Sequence, residues 1–177
     1  MFYISEIKLA APETFVSSLQ QKVYAKLAQL NIAFERVDTD EAITMDDCVA
    51  INQALDMEMV KTLFLCNRQQ TEFYLFVTKG DKPFRSKEFS HALGISRVSF
   101  APAELMLSML GTPVGAATAL SAVVAPSNVS FVFDKDVVGQ PSYGCSDGAT
   151  TSYMKLHIED VFNFLRSCGK TRETVSL

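Results

Sequence analysis

Two runs of apolar and β-branched residues, at 60–66 and 73–77, flank a short polar break at 67–70. Two such runs around a polar turn predict a β-hairpin. Residues 63–65 are continuously apolar, as expected of a strand buried on both faces. The sequence therefore predicts a buried hairpin around which the rest of the fold is organised.

Elsewhere apolar residues recur at intervals of three and four, the period of an amphipathic helix. One helix is predicted from Pro12 to Asn31. Thr44 and Asp47 resemble a capping box that opens a second helix, which continues through Leu55. Further helices are predicted at 86–93, where Gly94 stops the helix, at 101–110, where Gly111 follows, and at 158–165.

Additional strands are predicted at 32–37, 97–100, 129–133 and 149–156, with residues 1–11 as a loose or strand-like arm. Because strands and helices are interspersed and some strands are adjacent, the predicted class is α+β (mixed α/β). We expect a single domain over residues 1–177, with its core at about 12–168 and a flexible tail at 169–177. Its central sheet should be mixed and largely antiparallel, flanked by helices, with buried side chains at Leu63, Leu65, Phe76 and Val132.

Composition agrees with a globular domain. The chain has 177 residues, of which 48% are hydrophobic and 20% charged, and this excludes general disorder. No apolar run approaches the ~18 residues that cross a bilayer, and no export signal is visible, so a cytoplasmic location is expected. The four cysteines are far apart and are expected to be reduced thiols.

The formal net charge is −4 and the isoelectric point is about 5.2. Binding along a nucleic-acid duplex depends on many Lys and Arg side chains that neutralise phosphates, so this charge argues against duplex DNA as a partner. A grip on the end of one strand needs only a few contacts and stays compatible with the composition.

Metal and nucleotide sites have little support. His91 and His157 are the only histidines, and neither lies at ligand spacing from another His or Cys. No Walker-type or G-x-G-x-x-G motif occurs, so no metal or organic cofactor is expected. Cys145 with His157 and Asp147 is the only arrangement that resembles a thiol nucleophile, and we predict that Cys145 is dispensable for any hydrolysis.

Lys61 departs from the apolar pattern because it stands at the entry of the first hairpin strand. Such a lysine either extends to the rim of the sheet or presents its charge to a pocket. The small, turn-rich segment 111–118 can bring backbone N–H groups close to a ligand. Together they suit an anionic ligand and a developing oxyanion, with lysine as a point charge for phosphate.

The order of these motifs resembles the YbaK-like, prolyl-tRNA-editing superfamily. The resemblance rests on 60–65, 73–75, Leu93-Gly94, 98–101 and Leu110-Gly111 with the Gly115 loop, and it spans about residues 20–167. It is closest to the free-standing members that deacylate mischarged tRNA(Pro), notably alanyl-tRNA(Pro). The resemblance implies an editing-domain fold and an aminoacyl-tRNA deacylase activity.

The resemblance also implies roles for individual residues. Lys61 would contact the phosphate region of the terminal adenosine. The family's Gly-x-x-x-Pro loop, which holds the ester and the attacking water through its backbone, matches the segment Gly115, Ala116, Ala117, Thr118. Ala119 stands where the family has proline, and Gly144 stands where it has a histidine.

The leading hypothesis is therefore a deacylase that acts in trans on the acceptor end of a mischarged tRNA, with association to a synthetase as a further expectation. Met45 and Phe100 are expected to floor the amino-acid pocket together with the glycine loop. The alternative is a degenerate module of the same fold that binds an aminoacyl or amino-acid ligand without hydrolysis, as the changes at Ala119 and Gly144 would allow. A general hydrolase that uses Cys145 is the third hypothesis.

Overall fold

In the computed structural model, which describes residues 1–42 and 44–177, helices and strands alternate along the chain. The helices are α1 (Ser18–Gln29), α2 (Met45–Leu55), α3 (Ser86–Leu93), α4 (Ala103–Leu110), α5 (Lys135–Val138) and α6 (Ile158–Ser167), with a 3₁₀ helix at Ala119–Val123. The strands are β1 (Glu35–Asp38), β2 (Val60–Asn67), β3 (Phe73–Lys79), β4 (Val98–Phe100), β5 (Val129–Asp134), β6 (Ser142–Ser146), β7 (Ser152–His157) and β8 (Arg172–Val175). The predicted α+β class is confirmed.

The predicted hairpin forms the centre of a five-stranded sheet with the order β4-β2-β3-β5-β8. β2 pairs antiparallel with β3 and β4, whereas β3 with β5 and β5 with β8 are parallel, so the sheet is mixed. Leu63 lies opposite Phe76 in the hairpin. Leu65, Phe76 and Val132 are buried as predicted, and Leu63 is half-buried.

A second sheet, with the antiparallel order β1-β7-β6, accompanies the central mixed sheet that we predicted. β6 was not predicted because its glycine and serines carry no strand-like pattern, and pairing with β7 is what makes it a strand. Tyr143 and Leu156 of this sheet belong to the same buried cluster as Phe64 and Phe131 of the first. The two sheets therefore share one hydrophobic core.

The helices cover both faces of the five-stranded sheet. Successive side chains on a strand point to opposite faces, so Leu65 and Phe64 separate the two sides. Leu65 packs in a cluster with Phe89 of α3, whereas Phe64 packs in the cluster that contains residues of α1 and α6. α3 thus covers one face, and α1 and α6 cover the other.

Local capping decides where several helices begin and end. The Thr44 hydroxyl accepts a hydrogen bond from the Asp47 N–H (3.1 Å) while the Asp47 carboxylate accepts from the Thr44 N–H (3.0 Å), so the predicted capping box is confirmed. Gly94 and Gly111 end α3 and α4 with φ values of +64° and +75°. Glycine reaches this left-handed region at little steric cost.

The first helix is shorter than predicted. It begins at Ser18 and not at Pro12, because the Ser17 hydroxyl accepts a hydrogen bond from the Gln20 N–H (3.0 Å) and so caps the helix there. Phe15 and Val16, whose spacing extended the predicted helix, lie before the cap and are exposed. Among the described residues, no helix is long and apolar enough to cross a membrane.

The prediction of a flexible tail is wrong for residues Arg172–Val175, because they form the strand β8. This strand pairs in parallel with β5, and the Val175 side chain is buried. The Arg172 guanidinium also lies 3.7 Å from the centroid of the Phe162 ring. These partners are distant in sequence, so no local pattern indicated the strand.

Candidate active site

One edge of β2 is only partly covered, and a cavity lies beside its open half. β3 pairs with β2 from Val60 to Cys66, but β4 pairs with it only over Leu65–Asn67. The cavity has a volume of about 490 Å³. It is lined by the first half of β2, by Phe100, Ala101 and Met106, by Val114, Gly115 and Ala117, and by Cys145, Ser146 and Tyr153 of the second sheet.

The backbone at this open edge is available to a polar ligand. The Phe64 carbonyl accepts a hydrogen bond from the Ala101 N–H (2.9 Å). The backbone N–H and C=O of Phe64 therefore point to the β4 edge of β2. Alternate residues of a strand turn these groups to the same edge, so the N–H and C=O of Thr62 face the cavity side. β4 has already left the sheet at that point.

Lys61 is half-buried at the mouth of the cavity. Its Nζ donates a hydrogen bond to the backbone carbonyl of Lys82. Among residues 1–42 and 44–177, no carboxylate forms an ion pair with Lys61, whereas the Lys82 Nζ lies 2.8 Å from Asp134 and 3.0 Å from Asp136. Lys61 therefore presents a cation to the cavity whose charge is not neutralised by the described part of the protein.

Two residues of the glycine loop line the cavity, and the other two form hydrogen bonds within the loop and with the following 3₁₀ helix. Gly115 has a φ of +93°, and a Cβ at this position would meet no atom within 4 Å, so a ligand can approach the backbone. Gly115 and Ala117 line the cavity. The Ala116 N–H is bound to the Pro113 carbonyl (3.2 Å), and the buried Thr118 caps the 3₁₀ helix.

The structure places Met45 and Phe100, the expected floor of the amino-acid pocket, at different positions. Phe100 lines the cavity but is 63% exposed, so it forms part of the rim. Met45 is 76% exposed and lines a neighbouring cavity of about 400 Å³, which shares Met59, Val60 and Lys61 with the first. Neither side chain forms a buried floor of the cavity, and the role of both residues in amino-acid selection stays a prediction.

The buried lining residues are Phe64, Cys145, Ser146 and Tyr153. Three of them come from β6 and β7, and sequence reasoning missed Ser146 and Tyr153 as site residues. They lie far from Lys61 along the chain and reach the cavity only because the second sheet packs against the first. No motif in the sequence pointed to them.

The environment of Cys145 does not favour a thiolate. Burial raises the pKa of its thiol to about 12, although a hydrogen bond with Thr118 opposes this effect. Cys145 pairs with Met154 in the second sheet, whereas the exposed His157 pairs with Ser142 and is not its neighbour. No group of three or more His, Cys, Asp or Glu side chains in the described ranges could hold a metal ion.

The structure explains one departure from the family pattern that the resemblance implies, the glycine at position 144. A Cβ at Gly144 would lie 2.6 Å from the Met57 Sδ and 3.0 Å from the Glu58 carbonyl oxygen, so the position of the family's histidine has no room for a side chain. Ala119 is the first residue of the 3₁₀ helix. Nothing in the structure explains why alanine stands at this position in place of proline.

The fold and the cavity define a class of protein, an α+β domain in which an open strand edge, a lysine and a glycine loop line one cavity. Residues 39–164 match the family model of the aminoacyl-tRNA editing domain. This match covers more than half of the chain and includes Lys61 and the Gly115 loop. The chain belongs to the aminoacyl-tRNA editing domain family, as the resemblance predicted.

Individual relatives agree with this membership. Over 159 residues the chain is 25% identical to "Prolyl-tRNA editing protein ProX" of Acetoanaerobium sticklandii, a match that covers 89% of this chain and 97% of ProX. It is 26% identical over 157 residues to "Prolyl-tRNA synthetase associated domain-containing protein 1" of Mus musculus, covering 86% and 93% of the two chains.

Solved structures show the same fold. A crystal structure described as a candidate trans-editing enzyme for prolyl tRNA synthetase superposes with a TM-score of 0.65 at 16% identity, covering 91% of this chain and 98% of that chain. The crystal structure of a hypothetical protein superposes with a TM-score of 0.69 at 19% identity, covering 87% and 98%.

Proposed function

We propose that this protein hydrolyses, in trans, the ester bond of a mischarged aminoacyl-tRNA, with tRNA(Pro) carrying alanine or another small amino acid as its substrate. The observation that carries the proposal is the cavity in which Lys61, without a carboxylate partner among the described residues, and the Gly115 loop are brought together. Family membership and the likeness to ProX support the reaction class.

In the proposed reaction Lys61 orients the phosphate of the terminal nucleotide. Lysine acts on phosphate as a point charge, so this contact fixes position more than angle. The ester carbonyl then lies against the glycine loop, where backbone N–H groups stabilise the oxyanion as water attacks. The Ala116 N–H is occupied by Pro113, which leaves Gly115 and Ala117, the loop residues that line the cavity, as the proposed donors.

Among the described residues that line the cavity, none is a general base. The described lining residues include no Asp, Glu or His, and the raised pKa keeps the Cys145 thiol protonated at neutral pH. The substrate's own ribose hydroxyl, to which the resemblance assigns the activation of water, fits this composition. A general base would otherwise have to lie within hydrogen-bond reach of the attacking water.

Amino-acid selection in this cavity has to work by exclusion. Discrimination by size is worth only about 1–3 kcal/mol per methylene group. The buried side chains of Phe64 and Tyr153 form rigid walls that a larger amino acid would have to displace. We therefore propose that the cavity accepts small amino acids and that larger ones are excluded by steric clash with Phe64 and Tyr153.

The names of the mouse and human relatives refer to prolyl-tRNA synthetase, and we extend the proposal to action alongside that enzyme in the cytoplasm. A second candidate function is a module that binds the charged end without hydrolysis. The packing of Met57 where the family has a histidine favours this alternative.

The test is a set of deacylation time courses on tRNA(Pro) charged with Ala, Pro, Ser or Cys. We expect the wild type to hydrolyse the alanyl ester, and Lys61→Ala to lose about 2–4 kcal/mol of transition-state stabilisation, the scale of one buried charged contact. The loss should appear in both KM and kcat if the contact also aligns the ester. Lys22→Ala, on the exposed side of α1, is the matched control.

Equal kinetics for wild type and Lys61→Ala would remove Lys61 from the site. Tight binding of charged tRNA by the wild type with no release of amino acid would favour the binding module over the hydrolase.

A further inference from the structure

We propose that the surface formed by α3 and β4 binds the single-stranded acceptor end of the RNA as it leaves the cavity. This α3–β4 face consists of Phe84, Arg85, Lys87, Arg97 and Phe100. The inference rests on the proposed function for the identity of the ligand, and it adds the direction in which the RNA lies on the protein.

The charge of the chain is unevenly distributed around the cavity. Residues 79–97 carry five lysines and arginines against two carboxylates, in a chain of net charge −4. Residues 40–58, which include α2 at the neighbouring cavity, carry six carboxylates and no lysine or arginine. Because RNA phosphates are repelled from the second segment and attracted to the first, the strand should follow α3 and β4.

Two of these five cations are exposed and have no ion pair among the described residues. Lys82 is held by Asp134 and Asp136, and Arg85 forms a surface pair with Glu88 at 3.3 Å. Lys87 and Arg97 are exposed, and no ion pair or hydrogen bond to another residue of the ranges 1–42 and 44–177 engages their side chains. These two line one shallow surface cavity of about 440 Å³ together with Ser86 and Ser90.

Phe100 joins the cavity to this cationic surface. It lies opposite Leu65 in the sheet and therefore on the same face as α3. Its ring lines the cavity, is 63% exposed, and packs edge-on against Phe84, with ring centroids 5.7 Å apart. Phe84 directly precedes Arg85, so aromatic and cationic side chains follow one another outward from the cavity.

This arrangement matches the chemistry of single-stranded nucleic acid. Proteins bind such strands by stacking bases on aromatic rings while cations track the backbone. We assign Phe100 to the base next to the ester and Lys87 with Arg97 to the phosphates that follow. A stacked base would cover the exposed phenylalanine at the rim of the cavity.

The test of the cations compares two double variants that each remove two positive charges. Lys87→Gln with Arg97→Gln changes the proposed face, whereas Lys22→Gln with Lys26→Gln changes α1, on the opposite face of the sheet. The probe is uncharged tRNA(Pro), whose binding is followed by fluorescence anisotropy over a series of salt concentrations. We expect the first variant to bind about tenfold more weakly and to lower the slope of log K against log salt by about 1.4, since each single-strand phosphate contact contributes about 0.7.

Phe100 is tested on a short oligonucleotide with the 3′-terminal sequence of the tRNA. Stacking is worth about 1–3 kcal/mol per base, so Phe100→Ala should weaken binding by about fivefold or more. Phe100→Tyr keeps the ring and should retain most of the affinity. Equal weakening by both substitutions would overturn the role of stacking.

Failure of this inference is distinguishable from failure of the proposed function. If the two double variants bind tRNA equally well, the α3–β4 face is not the RNA surface, even if the wild type hydrolyses alanyl-tRNA(Pro). If the wild type binds tRNA through this face but releases no amino acid, the surface stands and the hydrolase does not. If the wild type binds no tRNA and releases no amino acid from alanyl-tRNA(Pro), both proposals are wrong.

Discussion

Lys61 and Lys82 lie close together, yet their partners give them different chemistry. The hydrogen bond to Asp134 raises the pKa of Lys82, and the Asp136 carboxylate adds to this effect, so Lys82 serves the structure. Lys61 donates instead to a backbone carbonyl, which satisfies one N–H without neutralising the charge. A half-buried cation of this kind gains from binding an anion, since desolvation has already occurred.

The packing around Gly144 leaves no space for a side chain. A Cβ would lie 2.6 Å from the Met57 Sδ, so Gly144→Ala should destabilise the protein by about 1–3 kcal/mol through overpacking. Gly139→Ala is the control, because its Cβ would lie 3.6 Å from the Lys135 carbonyl oxygen, an ordinary contact. Urea unfolding of both variants gives the comparison, and equal stabilities would show that Met57 moves aside.

Asp147 predicts a pH dependence of stability. Burial raises its pKa, although hydrogen bonds from Tyr24 (2.6 Å) and Gln20 (3.0 Å) oppose this effect. A carboxyl whose pKa is higher in the folded state carries no cost below its unfolded pKa of about 3.9, and the cost of ionisation grows as pH rises through the folded pKa.

We therefore expect the stability of the wild type to fall relative to that of Asp147→Asn as the pH is raised from acid to neutral values. Urea unfolding of both proteins over this pH range provides the measurement. A stability difference that does not change with pH would show that ionisation of Asp147 is not the cause.

At the scale of elements, the cavity exists because β4 is short. β4 ends at Phe100, and Pro102 follows two residues later as the N-cap of α4. The chain turns into α4 and leaves the first half of β2 open toward the glycine loop.

The edge strand β8 provides a prediction at the same scale. Truncation after Lys170 removes β8, exposes the edge of β5 and removes the buried Val175. The lost burial and backbone hydrogen bonds should cost about 2 kcal/mol or more, and the open edge should promote aggregation. Thr174→Ala, an exposed change in the same strand, is the control for urea unfolding and light scattering. Unchanged stability after truncation would show that β8 adds nothing to the fold.

At the scale of the whole molecule, the two sheets unfold together if they share one core. Tyr143 and Leu156 of one sheet pack with Phe64 and Phe131 of the other, so neither sheet keeps a complete core alone. We expect one cooperative transition with the same midpoint by far-UV circular dichroism and by tyrosine fluorescence. The chain contains no tryptophan, and both sheets contain tyrosines, so this fluorescence reports on both. Separate midpoints would indicate two independent units.

The sequence by itself determined the features that depend on neighbouring residues. The β2–β3 hairpin, the capping box of α2 and the glycine ends of α3 and α4 were predicted because residues a few positions apart decide them. The order of motifs identified the family, and with it Lys61 and Gly115 as residues of one proposed site. Charge and composition likewise are readable without coordinates.

Only the tertiary structure decided what depends on contacts between distant segments. Tyr153 and Ser146 enter the cavity because the second sheet packs beside β2, and Phe100 lies on the rim, where its ring packs against Phe84. The tail becomes β8 because β5 offers it a free edge. These outcomes follow from long-range pairing and burial, which leave no periodic signal in the segments that take part.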